Sequence, residues 1–197
     1  MKVTVPQQSV RRLFRWSQLV LFAVAAVTLG YCAFVVADNW IYQRQQSRIL
    51  DVPHPRLAVP PSPPAPIAGQ LVGRIEIPRL GLSVIVAEGT GDATLRRAAG
   101  HIEGTALPGK SGNVGIAGHR DTLFRPLRNI RQDDVITLTT LQGLYRYRVV
   151  STKVVSPYDV AVLNPDGREI LTLVTCYPFF FIGPAPDRFI VRAKRIG

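Results

Sequence analysis

From residue 71 onward the chain is written mostly with a period of two. Leu71-Val-Gly-Arg-Ile-Glu-Ile77 alternates apolar and polar side chains, the mark of a strand with one face in a core and the other turned outward. Runs rich in β-branched residues at 82–87, 113–117, 135–139, 145–155, 169–175 and 188–193 repeat the signal, so about seven strands are predicted. Gln142-Gly143 falls between two of them and predicts a hairpin turn. Helical periodicity is thin. Asp92-Ala-Thr-Leu-Arg-Arg-Ala-Ala99 fits two turns with Asp92 as cap and Gly100 as stop, and 123–130 fits one more. There is no internal repeat. An all-β, antiparallel barrel or sandwich with short helical connections follows from this pattern.

The N-terminal part is of another kind. Residues 19–37 are apolar and uncharged, bracketed by Trp16 and Trp40, and about 20 such residues in a helix span a hydrocarbon core. Lys2, Arg11, Arg12 and Arg15 precede this run, whereas Asp38 opens the other side. The positive-inside rule then puts 1–18 in the cytoplasm, 19–37 across the cell membrane in a single pass, and the rest outside. A cleavable signal peptide has a shorter apolar stretch, about 7–15 residues, and a small-x-small site that Phe34-Val-Val-Ala37 lacks. Leu29-Gly-Tyr-Cys32 is a poor lipoprotein box because Tyr31 is bulky, which leaves Cys32 an ordinary membrane residue.

Residues 38–68 form a juxtamembrane segment and a linker carrying Pro53, Pro55, Pro60, Pro61, Pro63, Pro64 and Pro66, a composition that favours an extended, semi-rigid spacer. His54 is a solvated residue of this linker. Residues 69–197 have the length of one domain. The net charge of +11 divides between 7 Lys and Arg against 2 acids before Gly69 and 17 against 11 from Gly69 on. With scattered arginines and no interleaved aromatic stripe, the outer domain is not built for nucleic acid, and an anionic envelope surface accounts for the basic balance more simply.

Chemistry concentrates on Cys176, the only cysteine outside the apolar segment, standing where Leu171-Thr-Leu-Val-Thr175 breaks at Tyr177-Pro178. A thiolate nucleophile needs a group that accepts or stabilises the charge, usually His, and a donor for the oxyanion. The outer domain offers His101 and His119. His119 ends a strand whose Gly115 and Gly118 allow close approach of backbone or substrate, and His101 follows Gly100, where it can cap a helix; spacing favours His119. Arg188 and Arg192 share parity on the last strand, and antiparallel pairing with the cysteine strand puts Arg188 the nearer to Cys176, although a surface pairing with Asp187 fits equally well.

These residues resemble the sortase family. Thr172-Leu-Val-Thr-Cys176 matches its TLxTC signature, Gly118-His-Arg-Asp-Thr122 its histidine segment, and Arg188-Phe-Ile-Val191 its arginine strand, in the family's order. Cys176-Tyr-Pro-Phe179 with Ile182-Gly-Pro-Ala-Pro186 looks most like class D sortases. The resemblance implies an eight-stranded β-barrel with short helices behind one transmembrane helix. It also implies a membrane-anchored cysteine transpeptidase with a thiolate and imidazolium pair. Cys176 would form a thioacyl enzyme with a protein bearing an LPxTG-like sorting signal, His119 would be general acid and base, and Arg188 would bind substrate backbone or oxyanion. Thr175 would help to orient substrate, unless it simply packs. An amine acceptor, or water, would take the acyl group. Glu103, Asp159 and Asp166 are too dispersed for the calcium site of some class A members, so no metal or other cofactor is implied, and His101 takes a structural role. Papain-type, caspase-type and L,D-transpeptidase cysteine motifs are absent. The reading from outside enzymology is a noncatalytic, membrane-tethered β-barrel binding module, for which Cys176 would be dispensable.

Overall fold

In the computed structural model, which describes residues 7–51, 66–165, 167–181 and 183–197, the period-two segments become strands of one closed barrel. The linker prolines from Pro53 to Pro64, His54 and Asp166 lie outside the described residues, as do Lys2 and Ile182 of the motifs above. The elements in chain order are α1 (Gln7–Asp51), β1 (Leu71–Ile77), β2 (Leu82–Glu88), α2 (Asp92–Leu95), β3 (Ala99–His101), β4 (Gly112–Ala117), β5 (Val135–Thr139), β6 (Leu144–Val155), β7 (Glu169–Tyr177) and β8 (Asp187–Arg195). Around the barrel they run β1-β2-β3-β4-β7-β8-β6-β5, and β5 closes onto β1. Most neighbours are antiparallel, but β2 with β3 and β4 with β7 are parallel.

Alternation sets what faces in. Ile75 and Ile77 of β1, Val84 and Val86 of β2, Val114 and Ile116 of β4, Leu171 and Leu173 of β7, and Val191 and Ala193 of β8 share one buried core with Phe124 and Tyr147. Burial raises the Tyr147 phenol to about 12, so it stays a neutral core residue. The hairpin expected at Gln142-Gly143 joins β5 to β6 and is fastened by Thr140, whose Oγ1 accepts from the Gln142 and Gly143 N–H groups at 3.1 and 3.2 Å.

Two helical expectations change. Only Asp92–Leu95 of the expected 92–99 helix is α-helical, because Ala99–His101 is drawn into the sheet as β3, parallel to β2 through Val86↔Ala99 and antiparallel to β4 through His101↔Ile116. The 123–130 segment forms a 3₁₀ turn, Arg125–Asn129.

The chain divides into two units, one ending at Ile41 and the other Tyr42–Gly197. Within the first, residues 7–41 are α-helical, and the helix they begin is long and apolar enough to cross a membrane, which makes it a candidate anchor. Residues 42–51, read above as part of the linker, are helical and pack within the second unit. Leu50 is buried with Ile85 and Ala87, the outward residues of β2, and with Ala98. Gln43 Oε1 accepts from the Ile85 N–H at 2.9 Å, and Asp51 pairs with Arg74 at 2.9 Å. This cover explains why 84–87 is a continuous apolar run: both faces of β2 are shielded there. Leu50→Ala is therefore expected to destabilise the barrel unit by about 2 kcal/mol, read as a lower midpoint in denaturant unfolding.

On another side the Arg79 guanidinium grips the Asp134 carboxylate through Nε and Nη2 at 2.5 and 2.6 Å, and the Arg131 N–H adds a bond at 2.8 Å. Arg79, followed by the Arg131 amide and positive charge, holds the Asp134 carboxyl below its ordinary range, against the effect of burial. A carboxyl with a lowered folded pKa stabilises fully above the unfolded value, near pH 4, and the contribution is lost as pH falls through the lower folded value. Asp134→Asn should lower Tm at neutral pH, and the gap to wild type should narrow in thermal scans run below about pH 4.

Candidate active site

Cys176, His119 and Arg188 arrive at one end of the barrel from three adjacent strands. Register places Cys176 directly opposite Arg188 in the β7/β8 ladder. On the other flank β4 runs parallel to β7 through Ala117↔Val174, and the Gly118 N–H still donates to the Val174 carbonyl at 3.1 Å. Two residues beyond that pair on each strand come His119 and Cys176. Leu171 and Leu173 of β7 and Val191 and Ala193 of β8 fill the core, so parity puts Cys176 and Arg188 on the outward positions of their strands, and His119, two residues past the end of β4, is exposed. Cys176 is a free thiol, half-buried; His119 is exposed and Arg188 half-buried. Arg188 donates through Nη1 to the carbonyls of Ala185 at 3.3 Å and Asp187 at 3.0 Å, bonds within its own turn. It does so from the backbone side, so the expected alternative of a surface pair with Asp187 takes the form of a bond to that residue's carbonyl.

Thr175 has the opposite parity. It is 2 % exposed, and its hydroxyl donates to the Gly118 carbonyl at 2.7 Å, which ties the cysteine strand to the residue before His119. The glycines of the histidine strand also serve the protein's own packing. A Cβ on Gly118 would lie 2.7 Å from the Phe124 ring, and one on Gly115 3.0 Å from the Thr105 methyl, so both positions admit neighbouring side chains.

His101 is in a strand and caps no helix. It is 2 % exposed, with Nδ1 2.8 Å from the Glu88 carboxylate and Nε2 3.0 Å from the Ala106 carbonyl. The pair fastens the loop after β3 to the barrel.

Arg120 lies within the Gly118–Thr122 segment quoted above, but no role is read for it there. It follows His119 directly, is 6 % exposed, and donates through Nη1 to Pro178 O at 2.8 Å and through Nη2 to Phe181 O at 2.7 Å and Gly183 O at 3.1 Å. The carbonyls belong to the loop between Cys176 and Arg188, which begins at the cis Tyr177-Pro178 bond. No periodicity or composition signal marks such a contact. Tyr177, Phe179 and Phe189 form a further aromatic cluster at the strand ends, with ring centroids 5.3 to 6.2 Å apart. Among the described residues, no three His, Cys, Asp or Glu side chains gather as metal ligands would.

Fold and site together define a closed β-barrel with a cysteine-centred site on the outer ends of three neighbouring strands. The chain belongs to the sortase family, whose domain model matches residues 75–196. It is 35% identical over 132 residues to Sortase D of Bacillus subtilis (strain 168), across 66% of this chain and 67% of that protein. To Sortase A of Listeria monocytogenes it is 36% identical over 110 residues, across 54% of this chain and 49% of the relative, so it spans about half of that protein's length. Among solved structures, a Clostridium perfringens Sortase D5 transpeptidase superposes with a TM-score of 0.62 at 31% identity, covering 78% of this chain and 88% of that one.

Proposed function

We propose that this sortase-family chain is a membrane-anchored cysteine transpeptidase that cleaves an LPxTG-like sorting signal and passes the acyl group to an amine, or to water. The observation that carries the reading is the register: Arg188 opposite Cys176 on one side, and His119 at the same level on the other. The Cys176 sulfur attacks the carbonyl at the scissile bond, and Arg188 stabilises the oxyanion or holds the substrate backbone. As the tetrahedral intermediate collapses, the C–N bond breaks, the leaving amine takes a proton from His119, and a thioester remains on Cys176. In the second half an incoming amine attacks the thioester and gives its proton to His119. The C–S bond then breaks, and the thiolate is restored.

Arginines and a lysine before the apolar run 19–37, with Asp38 after it, support an orientation with the N-terminus in the cytoplasm and the barrel outside the cell membrane. The partners are then substrate proteins with C-terminal sorting signals and an acceptor amine. The test is to incubate the full chain in detergent with quenched LPxTG-like peptides and an added amine. A new amide joining peptide and amine supports the reading, whereas processing that persists in Cys176→Ala removes Cys176 as the nucleophile, and a wild type that processes no peptide favours the noncatalytic binding module. A membrane-impermeant thiol reagent applied to intact cells should label Cys176, and labelling only after lysis would contradict the orientation.

A further inference from the structure

Residues 178–181 and 183–186 are described in the β7–β8 loop that joins Cys176 to Arg188, and the buried Arg120 guanidinium takes three of the loop's carbonyls. A buried arginine is costly unless its donors are met. Arg120 meets them almost entirely from this loop, through the carbonyls of Pro178, Phe181 and Gly183. Among the described residues its counter-ion is weakly placed: Asp121 lies 3.4 Å away and is itself 70% exposed. The Phe181 ring adds a face, its centroid 5.9 Å from Arg120 Cζ. With Nε toward Asp121, Nη1 on Pro178 and Nη2 divided between two carbonyls, little of the fork remains for a substrate. Its position in the chain gives the contact its meaning. The Arg120 backbone is continuous with His119, while its side chain holds the segment that leaves Cys176 and delivers Arg188.

We propose that Arg120 is a positioning residue for the transfer reaction. It locks the β7–β8 loop in one arrangement and so fixes Arg188, and the loop wall of the site, relative to His119 and Cys176. The proposal rests on the transpeptidase reading above. Arg120 does not touch the reacting atoms; it acts through the loop. Lysine at this position keeps the charge but not the planar fork that meets separate carbonyls at once.

The test uses the full chain in detergent and two independent readouts. The first is limited chymotrypsin digestion, with cleavage at Phe179, Phe180 and Phe181 followed by mass spectrometry, which needs no catalysis. Arg120→Ala should be cut there roughly 10-fold faster than wild type, the loss of about one charge-assisted hydrogen bond's worth of loop closure. The second is acylation of Cys176 by an LPxTG-like peptide. Arg120→Ala should lower its kcat/KM roughly 10- to 100-fold at an almost unchanged thermal midpoint, with Arg120→Lys between the two. Added guanidinium ion, at a concentration that leaves wild type unaffected, should recover part of the activity in Arg120→Ala and none in Cys176→Ala. Unchanged cleavage of the loop overturns the proposal, and so does a loosened loop with undiminished acylation. If wild type is acylated by no peptide, the transpeptidase reading fails, and the digestion alone decides whether Arg120 holds the loop.

Discussion

Replacing Cys176 by alanine should abolish peptide processing while leaving the barrel standing. The thiol is half-buried at an outward strand position and has no disulfide partner. Loss of one sulfur at such a site costs stability of order 0.5 kcal/mol, within the range of ordinary surface substitutions. Turnover should nonetheless fall by at least about 10⁴-fold, since the covalent route disappears and only binding and the remaining polar groups are left to help. Parallel thermal melts and peptide-cleavage rates separate the two effects. Equal melting with no turnover is the expected pair of results. Cys176→Ser tests the same point more finely: a serine hydroxyl is far harder to ionise than a thiol, so it too should be inactive although it is nearly isosteric.

His119→Ala should have the next largest effect, a loss of roughly 10²- to 10⁴-fold in kcat, the range for removing a general acid–base group. The histidine is exposed and stands past the end of its ladder, so its removal should change Tm little. The size of the loss should depend on the leaving group. An amide releases an amine that must be protonated as it departs, whereas an ester releases an alcohol that departs more readily. A depsipeptide with an ester at the scissile position should therefore suffer less from His119→Ala than the matching peptide, measured as the ratio of kcat values for the two substrates. Equal losses for ester and amide would assign His119 some task other than protonating the departing amine. Combined with Cys176→Ala, the second substitution should add almost nothing, because residues that act as a unit are not additive.

Much of this was legible in the residues because barrel strands alternate. Leu71–Ile77 reads as β1 at once, and the same alternation assigns Cys176 and Thr175 to opposite faces of β7. The order of histidine, cysteine and arginine segments was equally plain. β3 was not, for physical reasons: it is three residues long, holds two small residues, and gains its order from distant partners, β2 on one side and β4 on the other. Asp92 and Gly100 are good helix signals, and only the nonlocal pairing of Ala99 overrides them. The helical cover from Tyr42 to Asp51 was hidden by the proline-rich stretch that follows it; Leu50 has meaning only beside Ile85 and Ala87. Arg120 falls inside the Gly118–Thr122 motif, yet its task was not legible there. It is one arginine among many in a basic chain, and its importance comes from three carbonyls about 60 positions away in sequence.

The central claim is that Cys176 carries the acyl group between donor and acceptor, and the mass of the trapped enzyme tests it most directly. The full chain is mixed with an LPxTG-like peptide, quenched in acid before an amine is added, digested, and its cysteine peptides weighed. The account predicts a mass increase equal to the acyl portion of the peptide on the fragment containing Cys176, absent from the fragment containing Cys32 and discharged when an amine is supplied. A wild-type chain that processes the peptide with Cys176 unmodified, and does so equally well as Cys176→Ala, would contradict it.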